Sequence, residues 1–369
     1  MARLHDVAIV GATPAGFAAA YTLAKAGTDA AVVDVPASTA ACPLTDWVSS
    51  DFFRLSHLPA GLAKRCRAQP FKTIAYHNVT LSRLAQHRSR GLLGYFFRPA
   101  DLTATLAAAA RKAGAKVTSS RTSPAVRLED DRVMLLGSRE IAARLLIVAD
   151  GQPAEVLADL GIMTRLVRSL PLVVAGLDLP WTARGDAALH IVEDRERTEL
   201  GMYFIAARRL HLRMISSSSA AGTRAAELSG LVSRLQSSGA LPGNLPLHRA
   251  AGAVWHPPAG IALDLDTHTA KRCLLAGTAG GFVEPVAGQT LYTSVVSALA
   301  AARCAAKALA ADEPAPALDG YRAAWRKQLE RRLLRPGTPF RVLLPLVFAN
   351  PKVTSRLTAS LLFAQAGER

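Results

Sequence analysis

Three short glycine-rich segments, far apart in the chain, constrain its fold more than any other feature. The first is Val10-Gly11-Ala12-Thr13-Pro14-Ala15-Gly16, the second is Leu146-Ile147-Val148-Ala149-Asp150-Gly151, and the third is Leu275-Ala276-Gly277-Thr278-Ala279-Gly280-Gly281-Phe282. A single glycine-rich loop is weak evidence, because any helix entered through a tight turn favours glycine. Three of them in this order are much stronger evidence for one shared architecture.

The first segment lies inside a complete β-α-β pattern. An apolar run, Val7–Val10, precedes it, and a helical stretch, Pro14–Lys25, follows it and ends at Gly27. A second apolar run, Ala30–Val33, then leads into Asp34. This spacing is typical of a dinucleotide-binding unit, in which the acid accepts a hydrogen bond from the adenosine ribose.

Thr13 stands where such a loop has its second glycine. In these loops the first glycine makes the turn, the second lets backbone N–H groups approach the pyrophosphate, and the third lets helix and strand pack closely. Gly11 and Gly16 keep the first and third roles, while Thr13 places a methyl and a hydroxyl group at the closest approach. The hydroxyl could donate to a phosphate oxygen or push the phosphate away, and a unit that binds no nucleotide is a further alternative.

The three segments resemble those of the FAD-dependent oxidoreductases related to p-hydroxybenzoate hydroxylase, and among them the geranylgeranyl-reductase-like branch. That branch typically reads GDAAGF-x-x-P-x-x-GxG near the end of its flavin domain, and this chain reads GTAGGFVEPVAGQT at 277–290. The family's aspartate, which binds the ribityl chain, is Thr278 here, and its late glycine is Thr290. The resemblance runs from about residue 5 to about residue 310. It implies that FAD is the cofactor and that the following residues bind it: Gly11, Thr13, Gly16, Asp34, Arg98, Asp150, Gly151, Gly277, Thr278 and Gly288.

The resemblance implies an α/β fold, with a Rossmann-like FAD-binding domain, an inserted and mostly antiparallel sheet domain for the substrate, and a C-terminal helical tail. Because 369 residues exceed the usual size of one core, two interleaved domains are expected. Alternating apolar runs favour antiparallel strands, covered by a helix near Arg224–Leu235. The predicted limits are 1–45, 96–161 and 263–310 for the FAD-binding domain, 46–95 and 162–262 for the substrate domain, and 311–369 for the tail.

Catalytic residues are harder to predict than cofactor residues, because a flavin carries the redox chemistry while the protein orients the substrate. Cys42 lies where the resembled branch often has a cysteine beside the flavin, although a small buried apolar cysteine is the stronger interpretation. His256 ends a strand upstream of the third segment and is a second weak candidate, against a surface or structurally bonded histidine. Arg98 is interpreted either as a contact to the flavin or to nearby backbone, or as a surface arginine.

Other chemistries have little support in the sequence. The nine histidines form no HxxxH or HExxH spacing, so no metal site is predicted, and the GxSxG elbow of serine hydrolases is absent. The four cysteines show no CxxC or metal-ligand spacing, which favours a reduced cytoplasmic protein. No apolar run reaches the roughly 18–20 residues of a membrane-spanning helix.

The chain is strongly basic, with a formal net charge of +16. Its densest basic run alternates with apolar residues in a helix-like stretch and comprises Arg322, Arg326, Lys327, Arg331, Arg332 and Arg335. A solvated helix packed on the flavin domain is the leading interpretation, and peripheral docking to an anionic membrane surface is the alternative. Nucleic acid is not an expected partner, since the positive net charge is the one feature of the sequence that would support it.

The sequence therefore predicts an FAD-dependent oxidoreductase that acts on an apolar or aromatic small molecule between flavin and sheet. The reaction is either oxygen insertion or the reduction or dehydrogenation of a carbon–carbon bond, because both branches share the quoted motifs. NAD(P)H is a possible reductant, although no separate fingerprint for it is visible. The alternative from another class is a non-redox binding or scaffold protein of the same fold, in which Thr13 and Thr278 have weakened or abolished flavin binding.

Overall fold

The computed structural model describes residues 3–35, 45–149, 159–161, 173–180, 187–193, 200–206, 208–216, 221–245, 251–255, 262–311, 314–334 and 340–363. The strands in chain order are β1 (Leu4–Val10), β2 (Ala30–Asp34), β3 (Asp46–Ser49), β4 (Gln69–Phe71), β5 (Thr73–His77), β6 (Leu84–Arg88), β7 (Gly94–Phe97), β8 (Lys116–Ser119), β9 (Ala125–Leu128), β10 (Val133–Leu136), β11 (Ile141–Val148), β12 (Val173–Pro180), β13 (Ala188–Glu193), β14 (Leu200–Ala206), β15 (Arg209–Ser216), β16 (Ala251–Trp255), β17 (Thr269–Ala270) and β18 (Cys273–Leu275). The helices are α1 (Pro14–Lys25), α2 (Leu62–Arg65), α3 (Pro99–Lys112), α4 (Ala221–Ser237), α5 (Leu291–Leu309), α6 (Pro314–Ala317), α7 (Gly320–Leu333), α8 (Phe340–Val347) and α9 (Pro351–Phe363).

The first sheet has five parallel strands at its centre, in the order β18-β11-β1-β2-β8. Short antiparallel strands extend it, with β17 beside β18 and the β9–β10 hairpin beside β11. The carboxyl ends of parallel strands meet at one edge of a sheet, and in α/β sheets ligands bind at that edge. Gly11, Ala149 and Gly277 follow β1, β11 and β18, so the described parts of the three glycine-rich segments meet there.

The second sheet has seven strands in the order β16-β12-β15-β14-β13-β5-β6. All its neighbours are antiparallel except β13 and β5, which confirms the prediction of a mostly antiparallel sheet. Strands β3, β7 and β4 form a small third sheet. The order of these elements confirms the predicted fold class, whereas the exact domain limits stay a prediction.

Helices α1, α3, α5 and α7 cover one face of the parallel sheet, where the largest core cluster lies. Leu23 of α1, Val295 of α5 and Leu329 of α7 are fully buried in it. Helix α3 begins at Pro99, because proline fits the first helical position, where its missing N–H is not needed.

The seven-stranded sheet buries both faces, and its side chains alternate between them. Ile74 and Phe204 face the small third sheet and helices α8 and α9. Tyr203 and Leu212 face the opposite side, which α4 covers with residues such as Leu231. The first of these two faces is turned toward the parallel sheet, because strands β3 and β7 lie between the seven-stranded sheet and the parallel sheet.

The basic stretch up to Arg332 lies in helix α7, whose large apolar residues pack in the protein's own core. Arg335 lies outside the described residues. Trp325 and Leu329 are buried, and the Tyr321 hydroxyl donates to the carbonyl of Leu275 at 2.8 Å. Arg332 is also turned inward, where it pairs with Asp51. In the part of the chain that the structure describes, no helix is long and apolar enough to cross a membrane.

Candidate cofactor and substrate site

The turn from β1 into α1 requires glycine at two positions. Gly11 has a φ of +116°, a conformation that residues with a Cβ rarely adopt. A Cβ on Gly16 would lie 2.0 Å from the carbonyl oxygen of Gly11, so strand and helix approach as closely as the third glycine of such a loop allows. The predicted roles of these two glycines therefore have a direct steric basis.

Thr13 is the N-cap of α1, and within the described residues its hydroxyl bonds to two backbone groups. Its Oγ1 accepts from the Gly16 N–H at 3.1 Å and donates to the Ala149 carbonyl, also at 3.1 Å. A threonine cap satisfies one of the helix's free N–H groups in this way. The hydroxyl thus holds the start of α1 to the end of β11.

The third segment forms a tight turn that helix α5 stabilises. Gly277 has a φ of +61°, and its N–H donates to the Ser297 hydroxyl of α5 at 2.9 Å. Thr278 follows and is 2% exposed. Gly288 also has a φ of +61° and lies shortly before α5 begins. The glycines of this motif are thus used for backbone conformations that other residues rarely adopt.

Residues of the three segments line a cleft that is open to solvent, with about 430 Å³ of empty space including the solvent at its mouth. It is lined by Thr13, Pro14, Ala15, Asp46, Phe97, Pro99, Ala149, Thr278, Thr290, Leu291 and Ser294. The Oγ of Ser294 is buried and has no hydrogen-bond partner within the described residues. Because buried hydroxyls are nearly always bonded, this atom is positioned for a partner that occupies the cleft.

The remaining predicted cofactor residues lie at different distances from this cleft. Asp34 is half-buried at the carboxyl end of β2, the same sheet edge, and its backbone carbonyl accepts from Ser120. Arg98 is exposed at the start of α3 and lines a second, larger cavity. Four predicted residues lie outside the described part of the chain: Cys42, Asp150, Gly151 and His256.

The larger cavity, about 1070 Å³ and open to solvent, lies between the start of α3 and the seven-stranded sheet. Phe97 lines both this cavity and the cleft, so the two spaces adjoin. The lining residues are Thr45, Cys66, Arg67, Gln69, Phe96, Phe97, Arg98, Asp101, Asp178, Ala206, Arg209 and His211. Burial raises the pKa of the Cys66 thiol to about 11, which leaves it protonated and a poor nucleophile at neutral pH.

Asp178 and His211 form a polar pair in this cavity that sequence reasoning missed. They lie opposite each other on β12 and β15, with Nδ1 of His211 2.7 Å from Oδ1 of Asp178. The other ring nitrogen of His211 is 3.3 Å from the carbonyl of Ala206, and the ring stacks on Phe204. Thr45 donates to the second carboxylate oxygen of Asp178 at 3.4 Å. The available sequence signal was the alternation of His211 and Arg213 with leucines in one strand.

A second missed feature is a buried ion pair between the cleft and the sheet. Arg213 of β15 donates to the carboxylate of Asp46, and both side chains are almost completely buried. The same carboxylate oxygen accepts from Gln289 at 3.1 Å and from the backbone N–H of Trp47 at 2.8 Å. One carboxylate oxygen of Asp46 therefore connects the cleft with the stretch before α5 and with the seven-stranded sheet.

The opposite face of the sheet carries a histidine pair that is remote from both spaces. Nε2 of His77 lies 2.9 Å from Nδ1 of His190, and the ring of Tyr203 stacks on His190. Burial lowers the pKa of His77 to about 4. Burial, together with the charge that His77 would carry, lowers the pKa of His190 to about 3. The two rings are therefore neutral at physiological pH.

Comparison with known proteins identifies the family of this chain. The model of a family described as FAD binding domain matches residues 5–335. The chain belongs to this family. The prediction of a flavoprotein related to p-hydroxybenzoate hydroxylase is thereby confirmed, as is the prediction of FAD as the cofactor.

One curated relative and two solved structures illustrate the range of the fold. The chain is 30% identical over 173 residues to digeranylgeranylglycerophospholipid reductase of Methanosarcina acetivorans, a match that spans 45% of this chain and 42% of that relative, less than half of either. A geranylgeranyl bacteriochlorophyll reductase-like protein of Thermoplasma acidophilum superposes with a TM-score of 0.77, at 17% identity over 99% of this chain and 98% of its own. The p-nitrophenol 4-monooxygenase of Pseudomonas putida gives a TM-score of 0.71, at 16% identity over all of both chains. At these identities the two structures show a shared fold.

Proposed function

We propose that this chain is an FAD-dependent oxidoreductase that acts on an apolar or aromatic small molecule in the larger cavity. The observation that carries the proposal is the adjacency of the two spaces at Phe97, with the FAD-family cleft on one side and the substrate-facing sheet on the other. A molecule in the cavity would therefore lie next to a cofactor bound in the cleft. No observation on the described residues favours the non-redox alternative.

The described residues of the cleft fit the cofactor. Gly11 makes the turn and Gly16 lets α1 pack closely on β1, which places the start of α1 at the cleft. Asp34 stands at the end of β2, where it would accept from the adenosine ribose. Thr278 and the unpaired hydroxyl of Ser294 would bond the ribityl hydroxyls. When bound, FAD supplies hydride or oxygen chemistry, and the protein supplies orientation and exclusion of water.

The cavity walls indicate the chemistry of the substrate. Phe96 stacks on Phe204 with centroids 4.4 Å apart, and this aromatic wall favours a flat or apolar molecule. Asp178 and His211 form a polar end that would orient one hydroxyl, carbonyl or amino group. The names of the relatives, a geranylgeranyl-lipid reductase and a p-nitrophenol monooxygenase, support both reduction and oxygen insertion as candidate reactions.

The reaction class and the reductant are tested together. NADH or NADPH oxidation is measured with saturating FAD, in air and without oxygen, against a panel of phenols and polyprenyl compounds. Substrate-dependent oxidation that requires oxygen and yields a hydroxylated product supports oxygen insertion. Anaerobic turnover that yields a saturated product supports reduction. A folded, FAD-loaded protein that turns over no member of the panel with either reductant would contradict the proposal.

Peripheral contact with an anionic membrane surface is proposed for the C-terminal helices. Lys327 and Arg331 of α7 are exposed, and three large apolar side chains nearby in the chain are about half exposed: Leu334, Val342 and Leu346. Each basic residue near an anionic surface contributes about 1 kcal/mol, and the attraction is screened by salt. Sedimentation with anionic vesicles should therefore fall steeply with salt and in a Lys327→Gln, Arg331→Gln variant. Equal sedimentation with neutral vesicles would leave α7 as a solvated helix only.

A further inference from the structure

The start of α1 offers few free backbone N–H groups to an anionic cofactor in the cleft. A helix N-terminus binds phosphate through its first free N–H groups. Pro14 has no N–H, and the Gly16 N–H is already bonded to the Thr13 hydroxyl. The Phe17 N–H donates to the Thr13 carbonyl within the helix. Among the described residues, Ala15 is left as the one amide of this first turn without a protein partner.

The Thr13 hydroxyl does not replace the donor that it consumes. A hydroxyl has one proton, and this proton is directed to the Ala149 carbonyl at 3.1 Å. The hydroxyl oxygen therefore faces the cleft with acceptor capacity only, which does not attract a phosphate. A glycine at this position would leave the Gly16 N–H free for the ligand.

The rest of the described cleft adds little charge complementarity. None of its described lining residues is a lysine or an arginine, and its one ionisable side chain is the carboxylate of Asp46, which Arg213 pairs from the sheet. Thr278 is neutral where the resembled branch has a carboxylate, and hydrogen bonds to charged acceptors are roughly twice as strong as neutral ones. The pyrophosphate and the ribityl chain thus each lose a strong partner.

We propose that this cleft holds FAD as an exchangeable ligand, which equilibrates with FAD in solution rather than remaining bound as a permanent group. The inference rests on the proposed FAD site and adds how that site is regulated. The fraction of loaded protein then follows the concentration of free FAD. Thr13 and Thr278 set the affinity, because each removes one strong contact to the cofactor.

The first test uses the wild-type chain and FAD alone. The protein is saturated with FAD, passed through a desalting column in FAD-free buffer, and its flavin content is read from absorbance near 450 nm. We expect most of the flavin to be lost, and a titration by FAD fluorescence to give a dissociation constant in the micromolar range. Retention of stoichiometric flavin with nanomolar affinity would overturn the inference while leaving the proposed oxidoreductase function intact.

The second test separates the two groups of the Thr13 side chain. Thr13→Ser keeps the hydroxyl cap and should leave FAD affinity within about twofold of wild type, whereas Thr13→Ala and Thr13→Gly free the Gly16 N–H and should tighten binding about tenfold. Thr278→Asp should also tighten it about tenfold, and Thr278→Ser should not. Two independent positions keep the test decisive if one variant folds poorly. Unchanged affinity in folded Thr13→Ala and Thr278→Asp would overturn the inference.

Failure of the exchange proposal can be distinguished from failure of the proposed FAD-dependent function. If no variant and no FAD concentration gives saturable binding to folded protein, the FAD-dependent function itself fails. If FAD binds tightly to the wild-type chain, only the proposal that FAD exchanges with solution fails. Exchange is supported when redox turnover of the desalted wild type is restored by added FAD, while the Thr13→Gly, Thr278→Asp double variant stays active without it.

Discussion

The cofactor cleft and the substrate cavity adjoin, yet they are built from different parts of the chain. Backbone conformation shapes the cleft, through Gly11, Gly16 and the Thr13 cap at the carboxyl edge of the parallel sheet. Side-chain pairs shape the cavity wall, and their members are far apart in sequence, as in Asp178 with His211. A backbone-built site leaves a local motif in the sequence, whereas a wall built from strand pairing leaves almost none.

The largest expected effect lies at the ion pair between the two regions. Arg213→Met leaves the buried carboxylate of Asp46 without its cationic partner, and breaking a buried pair in this way costs about 3–5 kcal/mol of unfolding free energy. Denaturant unfolding measures the loss. An Asp46→Leu, Arg213→Met double variant removes both charges and should recover most of it. If Arg213→Met were as stable as wild type, the pair would not join the sheet to the cleft.

The second largest effect is expected at Gly16, in the glycine-rich turn that forms the cleft. A Cβ on Gly16 would press on the carbonyl of Gly11, so Gly16→Ala should destabilise the chain by about 3 kcal/mol and prevent FAD binding. Gly230 provides a matched control, because nothing lies within 4 Å of a Cβ there, inside helix α4. Gly230→Ala should stabilise the chain by up to about 1 kcal/mol and leave FAD binding unchanged. Similar effects at both glycines would contradict a close approach at Gly16.

The histidine pair makes the seven-stranded sheet sensitive to acid. The pKa values of His77 and His190 are lowered in the folded chain to about 4 and about 3, and an unfolded histidine has a pKa near 6.5. The unfolded chain therefore binds more protons below pH 6.5, and stability should fall as the pH drops from about 6.5 to 4, by about 1.4 kcal/mol per unit of pKa shift for each ring at most.

Variants check the source of this pH dependence. A His77→Gln, His190→Gln double variant should show a flatter decline between pH 6.5 and 4 than wild type, measured by denaturant unfolding at each pH. His57 is exposed and serves as the control, so His57→Asn should keep the wild-type slope. An unchanged slope in the double variant would show that other groups cause the acid sensitivity.

The smallest of these effects is expected at Asp34. Asp34→Ala removes the proposed acceptor for the adenosine ribose and should weaken FAD binding by about 1–3 kcal/mol, the scale of a hydrogen bond to a charged group. Fluorescence titration measures the change, and thermal unfolding shows that the fold is intact. An affinity equal to that of wild type would remove Asp34 from the cofactor site.

The sequence predicted the local elements closely and the long-range pairs poorly. Helix α1 begins and ends at the predicted residues, Pro14 and Lys25, because the proline, the apolar spacing and Gly27 all act within one element. His211 gave no comparable signal, since its partner Asp178 becomes a neighbour only through the pairing of β12 with β15. The Thr13 hydroxyl was also ambiguous, because its acceptor, Ala149, follows β11 and is 136 residues away in the chain.

The cleft between Thr13 and Thr278 is the proposed binding site of FAD, and titration of the purified wild-type chain with FAD, monitored by quenching of flavin fluorescence, tests this proposal. We expect saturable binding of one FAD per chain in the micromolar range, lost in Gly16→Ala and weakened in Asp34→Ala. A folded wild-type chain that shows no saturable binding at millimolar FAD would contradict it.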